Sequence, residues 1–231
     1  MKLISIGDTH GKDDWKKLAD TQSFDRLVFI GDYFDSFHID ALEQIKNFLE
    51  IIAYKKAYPE KVILLFGNHD FHYLPVARQM GEVYSGFQDT YASQIGELIE
   101  ENLKLLQMCY KEGSYLFSHA GVTHTWLTSA GYIEGEVDSF VNALFKTRPE
   151  NFLFHGWNPY GDNVTQSPIW VRPASLKKNA YKYETIKQVV GHTRVEKIQI
   201  VKGRYFFIDT LDTAREYLIV EDGNARTGKI G

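Results

Sequence analysis

The feature that most constrains the fold is a short apolar run that recurs along the chain and ends each time in glycine or a small polar residue, followed by ionisable groups. Residues 62–66, for example, are all apolar and are followed directly by the letters GNHD. A short apolar run that closes in this way is typical of a buried strand. The same pattern occurs at residues 3–6, 27–30, 115–117 and 188–190. Functional groups of open α/β sheets collect where strands end, so we expect the polar residues after these runs to form a site.

Two segments between these runs have helical periodicity. One helix is predicted in residues 39–59 and ends before Pro59, and a second is predicted over most of residues 89–106. The predicted apolar faces consist of Leu42, Ile45, Leu49 and Ile52 in the first helix and Ile95, Leu98, Ile99, Leu103 and Leu106 in the second. Strands that alternate with helices indicate a layered α/β sheet, and we expect one domain over residues 1–231.

The C-terminal part has a different pattern. Three short β runs, at residues 197–201, 204–208 and 217–220, are separated by turn signals, so we predict that they are antiparallel. The last residues, 221–231, are expected to fray. Residues 150–167 are rich in Gly, Asn, Pro and aromatic side chains, and we interpret them as a long functional loop.

Composition excludes several classes of partner. The net charge of −4, from 26 basic and 30 acidic residues, supplies no general attraction to nucleic acid or to an acidic membrane surface. Cys109 is the single cysteine, so neither an intrachain disulfide nor a cysteine-rich zinc site can form. No apolar run approaches the ~18 residues of a membrane span, and the N-terminal run is too short for a signal peptide. We therefore expect a cytoplasmic protein that has no membrane partner.

The residues at the predicted strand ends are suited to metal binding. They are Asp8, His10, Asp32, Asp35, Asn68, His69, Asp70, His119 and His192. Carboxylate, imidazole and amide ligands suit a borderline divalent ion such as Mn²⁺, Fe²⁺ or Zn²⁺. The number of ligands suggests two ions, which at ~3.5–4 Å apart can clamp a phosphoryl group and lower the pKa of a shared water. One carboxylate must then bridge the ions.

Five motifs in this order, GDTHG, GDYFD, GNHD, SHAG and VVGHT, resemble those of the calcineurin-like metallophosphoesterases over nearly the whole chain. The resemblance implies an α/β fold, a β-sandwich of two mixed sheets flanked by helices. It also implies a ligand set in which Asp8 and His10 hold the first metal, Asp32 bridges both metals, and Asn68, His119 and His192 complete the second. His69 matches the family's general acid and Asp35 matches the carboxylate that orients it, a neighbour that favours the charged imidazolium.

Within the superfamily, the chain resembles the phosphoprotein phosphatase branch, the bacterial and bacteriophage-type serine/threonine protein phosphatases. Thr193 and Arg194 follow His192, where many phosphodiesterases have a second metal-binding histidine. The segments IWVRP and FFIDT also resemble this branch and make Arg172 the candidate phosphate clamp. An arginine beside proline and tryptophan can alternatively form a surface stack. The chain departs from the branch at Ser36, where an arginine is usual, and at Asp70, where glutamate is preferred.

The function that the resemblance implies is hydrolysis of phosphomonoesters by direct attack of a hydroxide that bridges two divalent metal ions, without a phosphoenzyme. Mn²⁺ is the first choice of metal, with Fe, Zn, Co or Ni as alternatives. The substrate is expected to be a phosphoprotein or a small phosphate ester. The alternatives are a dinucleoside polyphosphate hydrolase, since HAG and GHT also occur in symmetrical diadenosine tetraphosphatases, a small-molecule phosphodiesterase, and a non-catalytic scaffold.

The remaining histidines and aromatic residues match no motif. His38, His72, His124 and His155 are expected to be exposed loop residues, although His38 and His72 lie close enough to the metal motifs to line the pocket. Packing is the first expectation for the aromatic residues near the motifs, which are Tyr33, Phe34, Phe71, Tyr73, Trp157 and Trp170. Trp157 and Tyr160 stand where a loop that grips the substrate is expected.

Overall fold

The chain folds into two facing mixed β-sheets with helices on their outer sides, as a computed structural model that describes residues 1–155, 158 and 161–231 shows. The strands are β1 (Lys2–Ile6), β2 (Arg26–Phe29), β3 (Val62–Leu65), β4 (Leu106–Gln107), β5 (Cys109–Glu112), β6 (Tyr115–Ser118), β7 (Lys187–Val190), β8 (Gln199–Val201), β9 (Tyr205–Phe207), β10 (Glu216–Glu221) and β11 (Asn224–Lys229). The helices are α1 (Asp14–Thr21), α2 (Ala41–Ala57), α3 (Asn68–Phe71), α4 (Pro75–Gln79), α5 (Ala92–Asn102), α6 (His124–Ser129), α7 (Val137–Thr147) and α8 (Pro173–Asn179), with short 3₁₀ turns at Asp89–Tyr91, Leu103–Leu105 and Pro149–Phe152.

Both sheets combine parallel and antiparallel pairs. The first has the order β11-β10-β1-β2-β3-β4, in which β1 to β4 are parallel and β10 runs antiparallel to both of its neighbours. The second has the order β5-β6-β7-β9-β8, in which β6, β7 and β9 are parallel. The expected sandwich of two mixed sheets flanked by helices is thus confirmed.

Side-chain alternation along the strands divides the core into layers. On β1, Leu3 faces the second sheet and Ile4 faces the helices, and on β2 Val28 and Phe29 divide in the same way. The layer between the sheets also contains Phe117 of β6. Because both faces of these strands are buried, their sequences are continuously apolar, which is the pattern that made them recognisable.

The C-terminal strands correct two sequence expectations. β8 and β9 are antiparallel as predicted, but β9 also pairs in parallel with β7, while β10 crosses to the other sheet and pairs with β1. The last residues do not fray, because β11 pairs with β10 over six residue pairs from Glu216↔Lys229 to Glu221↔Asn224. Hydrophobic runs predict where strands form, but they do not predict which sheet each strand joins.

The buried face of α2 agrees with half of the prediction, since Ile45 and Ile52 are buried but the other two predicted residues are not. Leu42 and Leu49 are about half exposed (53% and 47%), whereas the buried face is centred on Phe48. The Phe48 ring packs against Tyr33 and Phe34, at centroid distances of 5.1 and 5.0 Å. These two aromatic residues follow β2, so the contact that selects the face of the helix is long-range and is not encoded in the periodicity of α2 itself.

The second predicted helix forms as α5, and the 3₁₀ turns on either side of it occupy the rest of residues 89–105. Its predicted face is buried at Ile95 and Ile99. Within the described ranges, no helix combines the length and the apolar composition that crossing a membrane requires.

Candidate metal centre and active site

A cleft of about 320 Å³ lies where parallel strands of the two sheets end. β1, β2 and β3 of the first sheet lead to Asp8, Asp32 and Asn68, and β6 and β7 of the second sheet lead to His119 and His192. The carboxyl ends of parallel strands share one edge of a sheet, so residues distant in sequence meet at this edge.

The six predicted metal ligands are brought together there. Asn68 Oδ1 lies 2.9 Å from His119 Nε2 and 2.8 Å from His192 Nδ1. Asp32 Oδ2 lies 3.4 Å from His119 Nε2 and 3.9 Å from His10 Nε2. Ligand atoms of Asp8, Asp32 and His119 all lie within 4.8 Å of one another. The central position of Asp32 is the one that a bridging carboxylate needs.

Four of the site residues have an unusual backbone conformation with a positive φ angle. His10, Asp32, Asp35 and His192 have φ values of 42°, 53°, 67° and 61°. This left-handed region is unfavourable for residues other than glycine and is populated mainly where the surroundings enforce it, often at functional sites. In the described chain, eight residues other than glycine have a positive φ, and four of them are predicted site residues. Backbone strain is thus concentrated at the candidate site.

Backbone N–H groups hold the two central carboxylates. The N–H of His69 donates to Asp32 Oδ1 (2.9 Å), and the N–H of His192 donates to Asp8 Oδ2 (2.9 Å). Asp70 supports this arrangement, because its carboxylate accepts from the N–H groups of Asp32, Tyr33 and Gly67 at 2.7–2.9 Å. Asp70, which sequence reasoning left without a role, thus fixes the loops that carry Asp32 and Asn68.

Backbone carbonyls fix the ring orientation of the histidine ligands. His119 Nδ1 faces the carbonyl of Ile30 (3.0 Å), and His10 Nδ1 faces that of Phe34 (2.5 Å). Since a carbonyl only accepts, each Nδ1 carries the proton, and Nε2 presents its lone pair to the cleft. In His192 the order is reversed: Nε2 faces the carbonyl of Trp170 (3.1 Å), and Nδ1 points at Asn68.

The residues present fit divalent metal ions. Asp8 Oδ1 is buried and has no hydrogen-bond partner among the described residues. Burial, followed by the charges of Asp209 and Asp32, raises the pKa of Asp8, a cost that a cation would relieve. Gly191 keeps this space open, because a Cβ at that position would overlap Asp8 Oδ1, and a Cβ at Gly67 would overlap Asp32 Oδ1 in the same way.

The candidate acid pair lies beside the ligands. His69 Nδ1 is 2.8 Å from Asp35 Oδ2. Burial lowers the pKa of His69, but the carboxylates of Asp32 and Asp35 outweigh it and raise the pKa to about 9. These two carboxylates favour the imidazolium form of His69.

Two residues that sequence reasoning missed complete the surroundings of Asp35. The Tyr73 hydroxyl donates to Asp35 Oδ1 (2.5 Å), and His72 Nε2 lies 2.6 Å from Asp35 Oδ2. His72 was expected to be an exposed loop residue and is instead fully buried. The letters GNHDFHY contain a signal for this contact, because the short helix α3 and its C-cap place His69 and His72 one turn apart. Asp35, His69 and His72 also have the spacing of a metal-ligand group, but these hydrogen bonds already occupy the Asp35 carboxylate.

The other predicted residues have varied positions. Arg172 Nη1 donates to the backbone carbonyl of His192 (2.9 Å) and to Thr193 Oγ1 (3.1 Å), so it supports the loop that carries a candidate ligand. His38 is exposed and lines the cleft. His124 and His155 are exposed as expected. Residues 156, 157, 159 and 160, which include Trp157 and Tyr160 of the predicted gripping loop, lie outside the described residues.

A two-sheet α/β fold with carboxylate, imidazole and amide side chains gathered at its strand ends has the ligand types that borderline divalent metal ions prefer. The profile of the calcineurin-like phosphoesterases matches residues 1–196, so the chain belongs to that family.

Curated relatives include proteins with two different activities. The chain is 24% identical over 169 residues to the symmetrical bis(5′-nucleosyl)-tetraphosphatase of Methylococcus capsulatus, an alignment that covers 65% of this chain and 57% of the relative. It is 30% identical over 91 residues to the serine/threonine-protein phosphatase 4 catalytic subunit of Kluyveromyces lactis, which covers 39% of this chain and 24% of the relative. The chain therefore spans well under two thirds of the length of these relatives.

Among solved structures, the cold-active protein-tyrosine phosphatase of a Shewanella species superposes with a TM-score of 0.70 at 19% identity, over 99% of this chain and 78% of the other. At this identity the likeness concerns the fold. It confirms the arrangement of sheets and helices described above.

Proposed function

We propose that the chain is a single-domain hydrolase of phosphate esters that depends on two divalent metal ions. The observation that carries the proposal is the convergence of six potential ligands from five strand ends next to His69, whose ring is hydrogen-bonded to Asp35. Asp8, His10, Asp32, Asn68, His119 and His192 would hold the ions, with Asp32 shared between them.

When bound, two divalent cations lower the pKa of a coordinated water to supply the nucleophile and balance the charge of the phosphoryl oxygens. The described lining of the cleft is rich in negative charge. It includes the carboxylates of Asp8, Asp32, Asp35, Asp209 and Asp212. Such a cleft repels a phosphate unless cations offset these charges. The carboxylate, imidazole and amide set accepts several metals, and Mn²⁺ is our first choice, ahead of Fe, Zn, Co and Ni.

His69 has the role of general acid in this proposal. Its Nδ1 is engaged by Asp35, so Nε2 is the atom that donates a proton to the leaving-group oxygen. Asp35 orients the ring and stabilises the imidazolium, and Tyr73 and His72 in turn hold Asp35. Arg172 is proposed as a phosphate clamp, since a guanidinium can bind two phosphate oxygens at once.

Phosphomonoesters, including phosphoserine and phosphothreonine in proteins, are the first candidate substrates. The similarity to a serine/threonine-protein phosphatase subunit and the sequence Thr193-Arg194 after His192 support this choice. The test is turnover of p-nitrophenyl phosphate by the purified protein with Mn²⁺, Co²⁺, Ni²⁺ or Zn²⁺. Absence of turnover with all four metals would overturn the proposed activity, and a protein purified without bound metal would favour the scaffold alternative.

Dinucleoside polyphosphates are the second candidate substrates. The similarity to a symmetrical bis(5′-nucleosyl)-tetraphosphatase covers more of this chain than the similarity to the protein phosphatase. Ser36 also favours a dinucleoside polyphosphate over a phosphoprotein, because the branch that cleaves phosphoproteins usually has an arginine at this position. A comparison of kcat/KM for a phosphopeptide and for diadenosine tetraphosphate under identical metal conditions decides between the two.

A further inference from the structure

Arg194 brings a positive charge to the mouth of the cleft. Among the described residues that line the cleft, it is the only lysine or arginine. It lies two residues after the candidate ligand His192, and its side chain is 57% exposed. A guanidinium at this position can reach a group bound in the cleft and still contact solvent.

Asp212 holds Arg194 in place at the rim. Asp212 Oδ2 accepts from Arg194 Nη2 at 2.7 Å, and Asp212 Oδ1 lies 2.6 Å from Lys12 Nζ. Asp212 thus faces two cations, and the nearby carboxylate of Asp209 balances the second of them. The anchoring also restricts the arginine side chain, so less conformational entropy is lost when its remaining N–H groups bind an anion.

At Ser36, another residue of the described lining, the side chain is neutral. Ser36 is nearly buried, and its hydroxyl accepts from the N–H groups of His38 (3.2 Å) and Ile39 (3.1 Å). Its role is to shape the turn after Asp35. Ser36 therefore adds no charge to the described lining, in which Arg194 is the guanidinium that an anion can contact.

We infer that Arg194 binds a second anionic group of the substrate, namely the phosphate that neighbours the hydrolysed one in a polyphosphate chain. The inference rests on the proposed hydrolysis in the cleft and favours the second of the two candidate substrate classes, the dinucleoside polyphosphates. The metal ligands, the acid pair and the proposed clamp Arg172 already account for the hydrolysed phosphate, whereas Arg194 lies at the rim, where the rest of the substrate would leave the cleft. A planar guanidinium fork matches two oxygens of such a phosphate, and the contact has no counterpart when the substrate is a simple monoester.

The first test is binding and does not require turnover. The probes are methylenediphosphonate and methylphosphonate, titrated calorimetrically into the Mn²⁺-loaded protein at one fixed free-metal concentration. Arg194→Gln is expected to weaken diphosphonate binding by about 3- to 10-fold, the value of a half-exposed charge-assisted contact, and to leave methylphosphonate binding unchanged. Arg194→Lys should restore only part of the difference, because it keeps the charge but loses the fork.

A matched control is available on the outer strand of the first sheet. Arg226 of β11 is 59% exposed and pairs with Glu221 Oε2 at 3.2 Å, so Arg226→Gln removes a similar ion pair outside the cleft lining. This variant should bind both probes like the unmodified protein. If Arg194→Gln weakens both probes equally, or neither, the inference about a second phosphate is wrong.

Kinetics separate this inference from the proposed function. With the unmodified protein, failure to hydrolyse both p-nitrophenyl phosphate and diadenosine tetraphosphate overturns the hydrolase proposal, while the diphosphonate titration still decides the role of Arg194. If turnover occurs, Arg194→Gln should raise KM for diadenosine tetraphosphate by about 3- to 10-fold and leave KM for p-nitrophenyl phosphate unchanged. Equal changes in both KM values would assign Arg194 to the hydrolysed phosphate instead.

Discussion

Two walls of the cleft differ in how firmly their side chains are held. The acid wall, formed by Asp35, His69, His72 and Tyr73, is largely buried: the Asp35 and His72 side chains are 0% exposed and that of His69 is 18% exposed. The rim wall, formed by Arg194 and Asp212, is more open, with side chains 57% and 20% exposed. Proton transfer requires a fixed geometry, whereas contact with the rest of a substrate requires access. The two walls accordingly suit two tasks.

The difference follows from what lies behind each wall. Behind the acid wall, the His72 ring stacks on Tyr84 (centroids 5.8 Å apart, planes at 10°), and Tyr73 stacks on Phe87 (4.7 Å, 16°). The N–H of Gln88 also donates to the Tyr73 hydroxyl (2.9 Å). The rim wall lies on the loops that follow β7 and β9, and ion pairs supply its contacts. Packing fixes the first wall and charge pairing fixes the second.

The largest effect is expected from loss of the proton donor in the acid wall. His69→Asn should reduce kcat by about 10²- to 10⁴-fold for substrates with poor leaving groups, because general acid catalysis is lost. Metal content, measured by elemental analysis, should be unchanged, since His69 is not among the proposed ligands. Turnover of p-nitrophenyl phosphate, whose leaving group needs little protonation, should fall much less. Full activity on alkyl phosphates would remove His69 from the mechanism.

The strand-end residues stand out in the sequence for a physical reason. A strand buried on both faces is apolar throughout, so the polar residues that follow it are conspicuous. The side chains that meet in the structure are those of Asp8, Asp32, Asn68, His119 and His192. His72 was recognised as close to the metal motifs, but its burial against Asp35 was not predicted, because it follows a helical turn and not a strand. The role of Asp70 could not be read from the sequence, because its three acceptor contacts are to backbone N–H groups, two of them more than 35 positions away.

The prediction of the fold from the sequence was limited in a similar way. Periodicity located strands and helices, but the crossing of β10 to the first sheet and the face that α2 buries depend on partners distant in sequence. Residues 156, 157, 159 and 160 lie outside the described residues, so the gripping role of Trp157 and Tyr160 is still a prediction.

A smaller effect is expected when the support of the acid wall is weakened. Tyr73→Phe removes the hydroxyl that donates to Asp35 and accepts from Gln88. Burial, and then the charge of Asp35, raises the pKa of Tyr73, so the hydroxyl is a permanent donor in the unmodified protein. We expect a loss of about 10-fold in kcat that grows as the leaving group becomes poorer, with KM unchanged, because the acid pair is less well oriented.

Tyr115→Phe is the control for that variant. Tyr115 is also buried and lies at the start of β6, away from the strand ends that form the cleft. Its hydroxyl donates to the carbonyl of Gly223 (3.1 Å). Its loss should affect thermal stability without changing the dependence of kcat on the leaving group. If both tyrosine variants show the same dependence, Tyr73 contributes only to stability and does not orient the acid pair.

The smallest effect is expected in the rim wall, and it should have the opposite sign. Asp212→Asn removes one negative charge that faces Lys12 and Arg194. Because these are partly exposed ion pairs, the free energy of unfolding should fall by no more than about 1 kcal/mol. Anion binding should become slightly tighter, since repulsion between Asp212 and a bound phosphate disappears, and calorimetry with methylenediphosphonate measures the change. In the acid wall, Asp35→Asn should instead lower activity, because Asp35 holds the proton donor in place. A loss of diphosphonate affinity in Asp212→Asn would show that orientation of Arg194 matters more than net charge, and the rim would then resemble the acid wall in how it works.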